Sequence, residues 1–370
     1  MVKSNNKLFQ LFFPPLTINY QNAKTYIPAL DGLRGIAILL VILFHTFHFM
    51  FGWCGVDLFF ILSGFLITGS LLETRDEPHY FRNFWIKRTL RIFPLYYLVL
   101  IIILLPKQLF NIETISYTSW SYWFYVQNWV YTFNGIFPHG KATLNHFWSL
   151  AIEEQFYFLF PFIVKYLPRK SLIGILLLFI IIAIGFRYYF FSLNNIGYYV
   201  ATVSRLDALS IGAMLAYLVR YNISLLQKFT HLIFYSSLAY IVFAIVINQD
   251  LHFSNPHIAT FGLTAFALFF GCILVYALAT PKISFLSTVL NNSSLKFIGK
   301  IAYGLYVFHW ILYVFMKPPL EELIFETIHL SVASKVITSS IVFIASFTLA
   351  YLSYYYFEKK VMGLKRVWVN

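Results

Sequence analysis

An all-α integral membrane protein, a bundle of about ten transmembrane helices with both termini cytoplasmic, is the fold this 370-residue sequence predicts. Three observations carry the prediction. The chain is 60% hydrophobic and only 11% charged, whereas soluble domains run to roughly half apolar and a quarter charged. Ten segments approach the ~20 apolar residues that a helix needs to span a bilayer. When those ten are threaded, 21 of the 27 Lys and Arg fall on one side, the asymmetry that marks cytoplasmic loops.

The segments run approximately 35–51, 55–72, 92–106, 146–167, 171–191, 204–220, 231–248, 258–279, 297–316 and 334–357. The third is short and opens with Pro94, a residue tolerated in the first turn of a helix. The aromatic stretch 116–131 is an eleventh candidate. If it crossed, every later loop would change sides and Lys359, Lys360, Lys365 and Arg366 would lie outside. It is therefore expected to lie on or dip into the outer face, where Trp and Tyr favour the interface. Residues 1–34 read as a cytoplasmic segment, 35–357 as the transmembrane domain and 358–370 as a cytoplasmic tail. No cleavable signal is expected before residue 34, and no extracytoplasmic domain after the last span.

The formal charge of +13 would suggest nucleic acid in a soluble protein. In so apolar a chain it reads as loop charge, and no nucleic-acid partner is expected. Cys54 and Cys272 are too few for a disulfide framework and lack metal-site spacing, so no metal is expected.

Ionisable residues inside spans are costly and mark functional sites by default. Asp57, Glu153, Glu154 and Asp207 are the carboxylates well inside spans; His45, His309 and Arg205 join them. At about 1.5 Å rise per residue, His45, Asp57 and Glu153 lie at similar depths below the outer face. Arg205 and Asp207 open their span from outside, and His309 lies in the outer half of its own. Five helices thus place polar groups in one layer. Adjacent Glu153 and Glu154 cannot share a helix face, so one faces the site and the other a structural partner. At the cytoplasmic side, Arg34 precedes His45 by about 16 Å along one helix. Arg88 and Arg91 are neighbours on one helix side, with Lys87 beside them. Such cations suit an anionic ligand, such as a phosphate-bearing donor.

Four blocks of sequence stand out, Ile27–Ala37 with Phe44-His45, Gly55–Ile67, Phe84–Pro94 and His146–Tyr157, and together they resemble the acyltransferase-3 family. Ile27-Pro28-Ala29-Leu30-Asp31-Gly32-Leu33-Arg34-Gly35-Ile36-Ala37 with Phe44-His45 is similar to its opening signature. Gly55-Val56-Asp57-Leu58-Phe59-Phe60-Ile61-Leu62-Ser63-Gly64-Phe65-Leu66-Ile67 resembles the second block. Phe84-Trp85-Ile86-Lys87-Arg88-Thr89-Leu90-Arg91-Ile92-Phe93-Pro94 resembles the basic block, with Lys87 where Arg is common. His146-Phe147-Trp148-Ser149-Leu150-Ala151-Ile152-Glu153-Glu154-Gln155-Phe156-Tyr157 resembles the fourth. Weaker echoes are Arg205-Leu206-Asp207-Ala208-Leu209 and Ala302-Tyr303-Gly304-Leu305-Tyr306 with His309.

The resemblance implies a multi-pass enzyme of the cytoplasmic (inner) membrane. Such enzymes O-acylate sugars of exported polysaccharides, lipopolysaccharides or glycolipids, drawing acetyl or another acyl group from acyl-CoA. No tightly bound cofactor is expected, and the soluble esterase-like domain fused to some members is not expected here. His45, Asp57, Glu153 and Glu154 become catalytic candidates, with His45 as general base or acyl carrier and Asp57 fixing its tautomer. Arg34, Arg88 and Arg91 become donor-binding candidates; Ser63, Arg205, Asp207 and His309 become substrate-binding candidates. A transporter or flippase for a lipid-linked saccharide is the alternative. It would also need buried charge, but paired broken half-helices are not evident.

Overall fold

The computed structural model describes residues 26–109, 119–137, 144–279 and 285–368. These residues are mostly helical, and no strand occurs among them. The first helix, α1 (Pro28–Phe47), starts at a proline whose missing N–H costs nothing in a first turn. It therefore begins seven residues before the expected boundary at 35, and Asp31 and Arg34 are helical. A 3₁₀ turn, Gly52–Cys54, leads into α2 (Gly55–Thr74). Helix α3 (Tyr80–Leu109) also starts early, taking in the basic block, so Pro94 is interior rather than in a first turn.

Two short helices follow, α4 (Trp120–Trp123) and α5 (Gln127–Asn134). The described part of the aromatic stretch is thus too broken to cross. It is also more than a surface belt, because Tyr122, Tyr125 and Tyr131 are buried and Tyr125 stacks on Tyr96 at 4.2 Å. After α6 (Trp148–Tyr166) and α7 (Leu172–Ser192) come the single turn α8 (Gly197–Val200), α9 (Thr202–Tyr221) and α10 (Ile223–Asn248). A π turn opens α11 (Leu263–Ala279). The last third holds α12 (Phe285–Leu290), α13 (Ser293–Lys300), α14 (Ala302–Ile328) and α15 (Ser331–Leu352), with a π turn and two short helices to Trp368.

Eight segments among the described residues are long and apolar enough to cross a membrane, or nine if α13 and α14 count as one bent span. Helix α6 has the length but carries Glu153, Glu154 and Lys165. The expected continuous span 297–316 is broken, because α13 and α14 meet at 72°. Two contacts hold α13 in place. Asn292 caps α13, accepting from the Ser294 and Leu295 amides. At Gly299 a Cβ would lie 1.8 Å from the Asp31 carbonyl, so α13 is pressed onto α1 where only glycine fits.

The span containing α2 is central, with 78% of it buried against 22% for α7. Its tightest partner is α9. A Cβ on Gly64 would lie 2.1 Å from Leu209 O, and one on Gly212 2.2 Å from Ile61 O. This reciprocal small-residue contact lets the two backbones touch, the packing that drives helix association in lipid.

Candidate active site

Two polar regions flank α2. On one side, Arg205 and Asp57 pair at 2.5 Å, and Arg187 and Asp207 pair at 2.7 Å, all at most 1% exposed. Thr264 donates to Asp207 at 2.6 Å and accepts from Arg187, which also donates to the Thr260 and Ser204 carbonyls. Arg205 lies between the rings of Phe60 and Tyr199, at 5.5 and 5.1 Å. This ladder ties α2, α7, α9 and α11 together. Buried ions need such partners, since desolvation otherwise costs several kcal/mol per ion.

On the other side is a cavity that reaches the surface beside the exposed Arg91. Arg34, Arg88 and Arg91 line it from α1 and α3. Arg34 is held at 2.8 Å by Asp31, which also accepts from the Tyr26 hydroxyl at 2.5 Å. That hydrogen bond pushes the Tyr26 phenol up to about 12. Arg88 lies over the Tyr157 ring at 5.5 Å. Arg91 is exposed and borders two further openings, one shared with Lys87 and Lys365, the other with Lys300 and Glu358. Deeper in the cavity, Ser63 Oγ of α2 donates to Glu153 Oε1 of α6 at 2.5 Å. Tyr306 and Ser149 also line it. The Tyr306 hydroxyl donates to the His146 carbonyl at 2.5 Å, so the Ser149 hydroxyl, 2.6 Å away, donates to Tyr306.

Beyond Tyr306 lies a histidine pair. His309 Nδ1 faces the Tyr306 and Leu305 carbonyls at 2.7 and 3.1 Å. Carbonyls only accept, so this nitrogen carries the proton and His309 Nε2 is an acceptor. It lies 3.2 Å from His45 Nδ1, which also faces the Val41 carbonyl at 3.1 Å. His45 Nδ1 therefore donates to both, and His45 Nε2 is the bare nitrogen. Trp310 lies against the His45 ring at 4.8 Å, and His146 against His309 at 5.2 Å.

Several expectations change. Asp57 does not orient His45; its hydrogen bond goes to Arg205, and the task of fixing the tautomer falls to His309 and the Val41 carbonyl. Arg205 and Asp207 are locked in the ladder and do not line the cavity. His309 contacts His45 instead of lining the cavity. Shared depth did not mean shared space, because Glu153 and Ser63 line the cavity and His45 does not. Glu154 faces away, into an apolar groove with Phe93, Trp129 and Phe158, and its Oε1 is buried with no hydrogen-bond partner among the described residues. Arg187, for which the sequence offered no role, is fully buried in the ladder. Sequence reading gave no role to His146, Ser149 and Tyr306. All three stand in blocks that carried the resemblance, and proximity to Glu153 and His309 was the available signal.

The fold and site define an integral membrane protein with a largely apolar internal cavity, cationic at its mouth and holding a hydrogen-bonded serine–glutamate pair in its depth. The model of the acyltransferase domain family matches residues 27–355, and the chain belongs to that family. It is 28% identical over 327 residues to the peptidoglycan O-acetyltransferase OatA of Listeria monocytogenes, covering 81% of this chain and 51% of that protein. It is 31% identical over 318 residues to the O-acetyltransferase OatA of Staphylococcus aureus, covering 79% and 51%. The chain thus spans about half the length of the curated relatives it matches. No solved structure matches it.

Proposed function

We propose that the protein is a membrane-bound O-acyltransferase that moves an acetyl group from acyl-CoA to a sugar hydroxyl of a cell-surface or exported glycan. The observation that carries this reading is the cavity, with three arginines at its open end and Ser63 and Glu153 within. Arg34, Arg88 and Arg91 hold the phosphates of the donor, since charge-assisted hydrogen bonds to phosphate are strong and directional. The thioester arm extends past them along α2. From Leu66 to Val56 that wall is about 15 Å long. His45, held in one tautomer by His309 and the Val41 carbonyl, takes the acceptor proton at Nε2. The acetyl group and a cell-wall sugar acceptor are favoured by the names of the relatives.

The reading includes ten crossings in the cytoplasmic membrane with both termini cytoplasmic, counting α6 and the bent α13–α14 pair as spans. Cation-rich inner loops support it. The test is mass spectrometry of the host's surface glycans and glycolipids with and without the gene. Loss of an acetyl mass from one glycan is the expected result. An unchanged acylation pattern would refute it.

A further inference from the structure

We propose that Ser63 is the acyl-accepting nucleophile of this cavity, with Glu153 as its base, so that transfer passes through an acyl-serine. The inference deepens the preceding reading and rests on it for the acyl thioester donor.

Three observations lead to it. First, Ser63 Oγ donates to Glu153 Oε1 at 2.5 Å, from a helix 90 residues away in sequence. A hydroxyl aimed at a carboxylate within hydrogen-bond reach is the arrangement of an activated nucleophile and its base. Second, both side chains are only partly buried, and both line the cavity that the three arginines enter. Of the other hydroxyls of that wall, the Tyr157 phenol joins Ser63 and Glu153, and the rest are directed elsewhere. Tyr303 donates to the Ile92 carbonyl at 2.7 Å, and Ser149 and Tyr306 are chained to the His146 carbonyl. Third, His45 is not among the lining residues. Tyr306 lines the cavity and its carbonyl accepts from His309, so the His309–His45 pair adjoins the cavity at Tyr306. A thioester entering past the arginines meets Ser63 before it can meet His45.

The chemistry balances without a redox partner. Ser63 Oγ attacks the thioester carbonyl and its proton passes to Glu153. The carbon–sulfur bond breaks, and the thiolate takes that proton from Glu153 and leaves as the thiol. In the second half the acceptor hydroxyl attacks the Ser63 ester, with His45 drawing off its proton. The ester bond to Ser63 breaks, and the proton ends on the departing Ser63 oxygen, which restores the bond to Glu153.

The experiment uses the full chain in lipid nanodiscs, acetyl-CoA with a labelled acetyl group, and no acceptor. Peptide mass spectrometry should find the acetyl on the peptide that holds Ser63. In His45→Gln, deacylation should slow about a hundredfold, and label should approach one acetyl per chain. Ser63→Ala should carry none, and Ser63→Cys should carry it as a hydroxylamine-sensitive thioester. Acetyl found on another residue, or a Ser63→Ala variant that acetylates glycan at the wild-type rate, overturns the relay while leaving the acetyltransferase reading intact. A wild-type protein that neither releases the CoA thiol nor transfers acetyl overturns both. Because the central observation is label on the unsubstituted chain, it does not depend on any variant folding.

Discussion

The two sides of α2 carry the same residue types to opposite ends. In the ladder, each carboxylate holds a guanidinium, and Arg187 and Arg205 are 0% exposed. In the cavity, Arg88 has aromatic neighbours but no carboxylate at salt-bridge distance among the described residues, and Arg91 is exposed at its mouth. Charges that pair with one another hold helices together. Charges left facing a cavity keep their binding capacity for something else, and that difference separates architecture from site better than burial does.

The comparison can be broken most sharply in the ladder. Arg205→Ala or Asp57→Ala leaves the other charge buried alone and should cost about 3–5 kcal/mol. Fluorescence-detected size exclusion should show lost or aggregated protein. Replacing both by leucine should recover folded protein, since exchanging a whole buried pair for apolar residues is often close to neutral. A folded double variant with no transferase activity would give Asp57 or Arg205 a chemical role and dissolve the distinction.

His45→Ala should leave a monodisperse protein and lower transfer by about 10²–10⁴-fold. His309→Ala should give a smaller loss, because it removes one of the two acceptors of His45 Nδ1, leaves the Val41 carbonyl, and spares the base itself. Wild-type rates from folded His45→Ala would remove His45 from the reaction.

Arg88→Ala and Arg91→Ala should each raise KM for acetyl-CoA by about 10–100-fold, the worth of a hydrogen bond to a charged group, with kcat less affected. Arg88→Lys should recover only part of the affinity, since an ammonium cannot form the planar fork. Equal losses in kcat and kcat/KM would move these residues from binding to chemistry.

The smallest effect is expected at Glu154→Gln. It faces the groove and not the cavity, so transfer should stay within about twofold. Thermal stability should hold or rise, because an unpartnered ionisable group inside a span is costly. A large loss of transfer would make the groove part of the site.

Much of the fold was legible because hydropathy is local. Apolar runs, tight turns and the basic block announce helices and their order without reference to neighbours. Helices α1 and α3 start before the apolar spans expected at 35 and 92, because those bounds marked only the apolar part of helices that also carry Arg34, Arg88 and Arg91. The break before α14 was missed because the close approach of Gly299 to Asp31, which holds α13 in place, is tertiary. In the site, the arginine trio was readable from spacing along two helices, and all three line one cavity.

The partnerships were not readable. Counting residues at a constant rise gives depth along the membrane normal, but says nothing about rotation around a helix or which helix stands beside it. His45, Asp57 and Glu153 share a depth, yet they face different partners: His309 is 264 residues from His45, Arg205 is 148 from Asp57, and Ser63 is 90 from Glu153. The sequence by itself determined a helical membrane protein and its family, because both are written in local composition and short blocks. Only the tertiary structure decided which polar residues meet, because azimuth and neighbour are set by glycine contacts and buried ion pairs between distant helices.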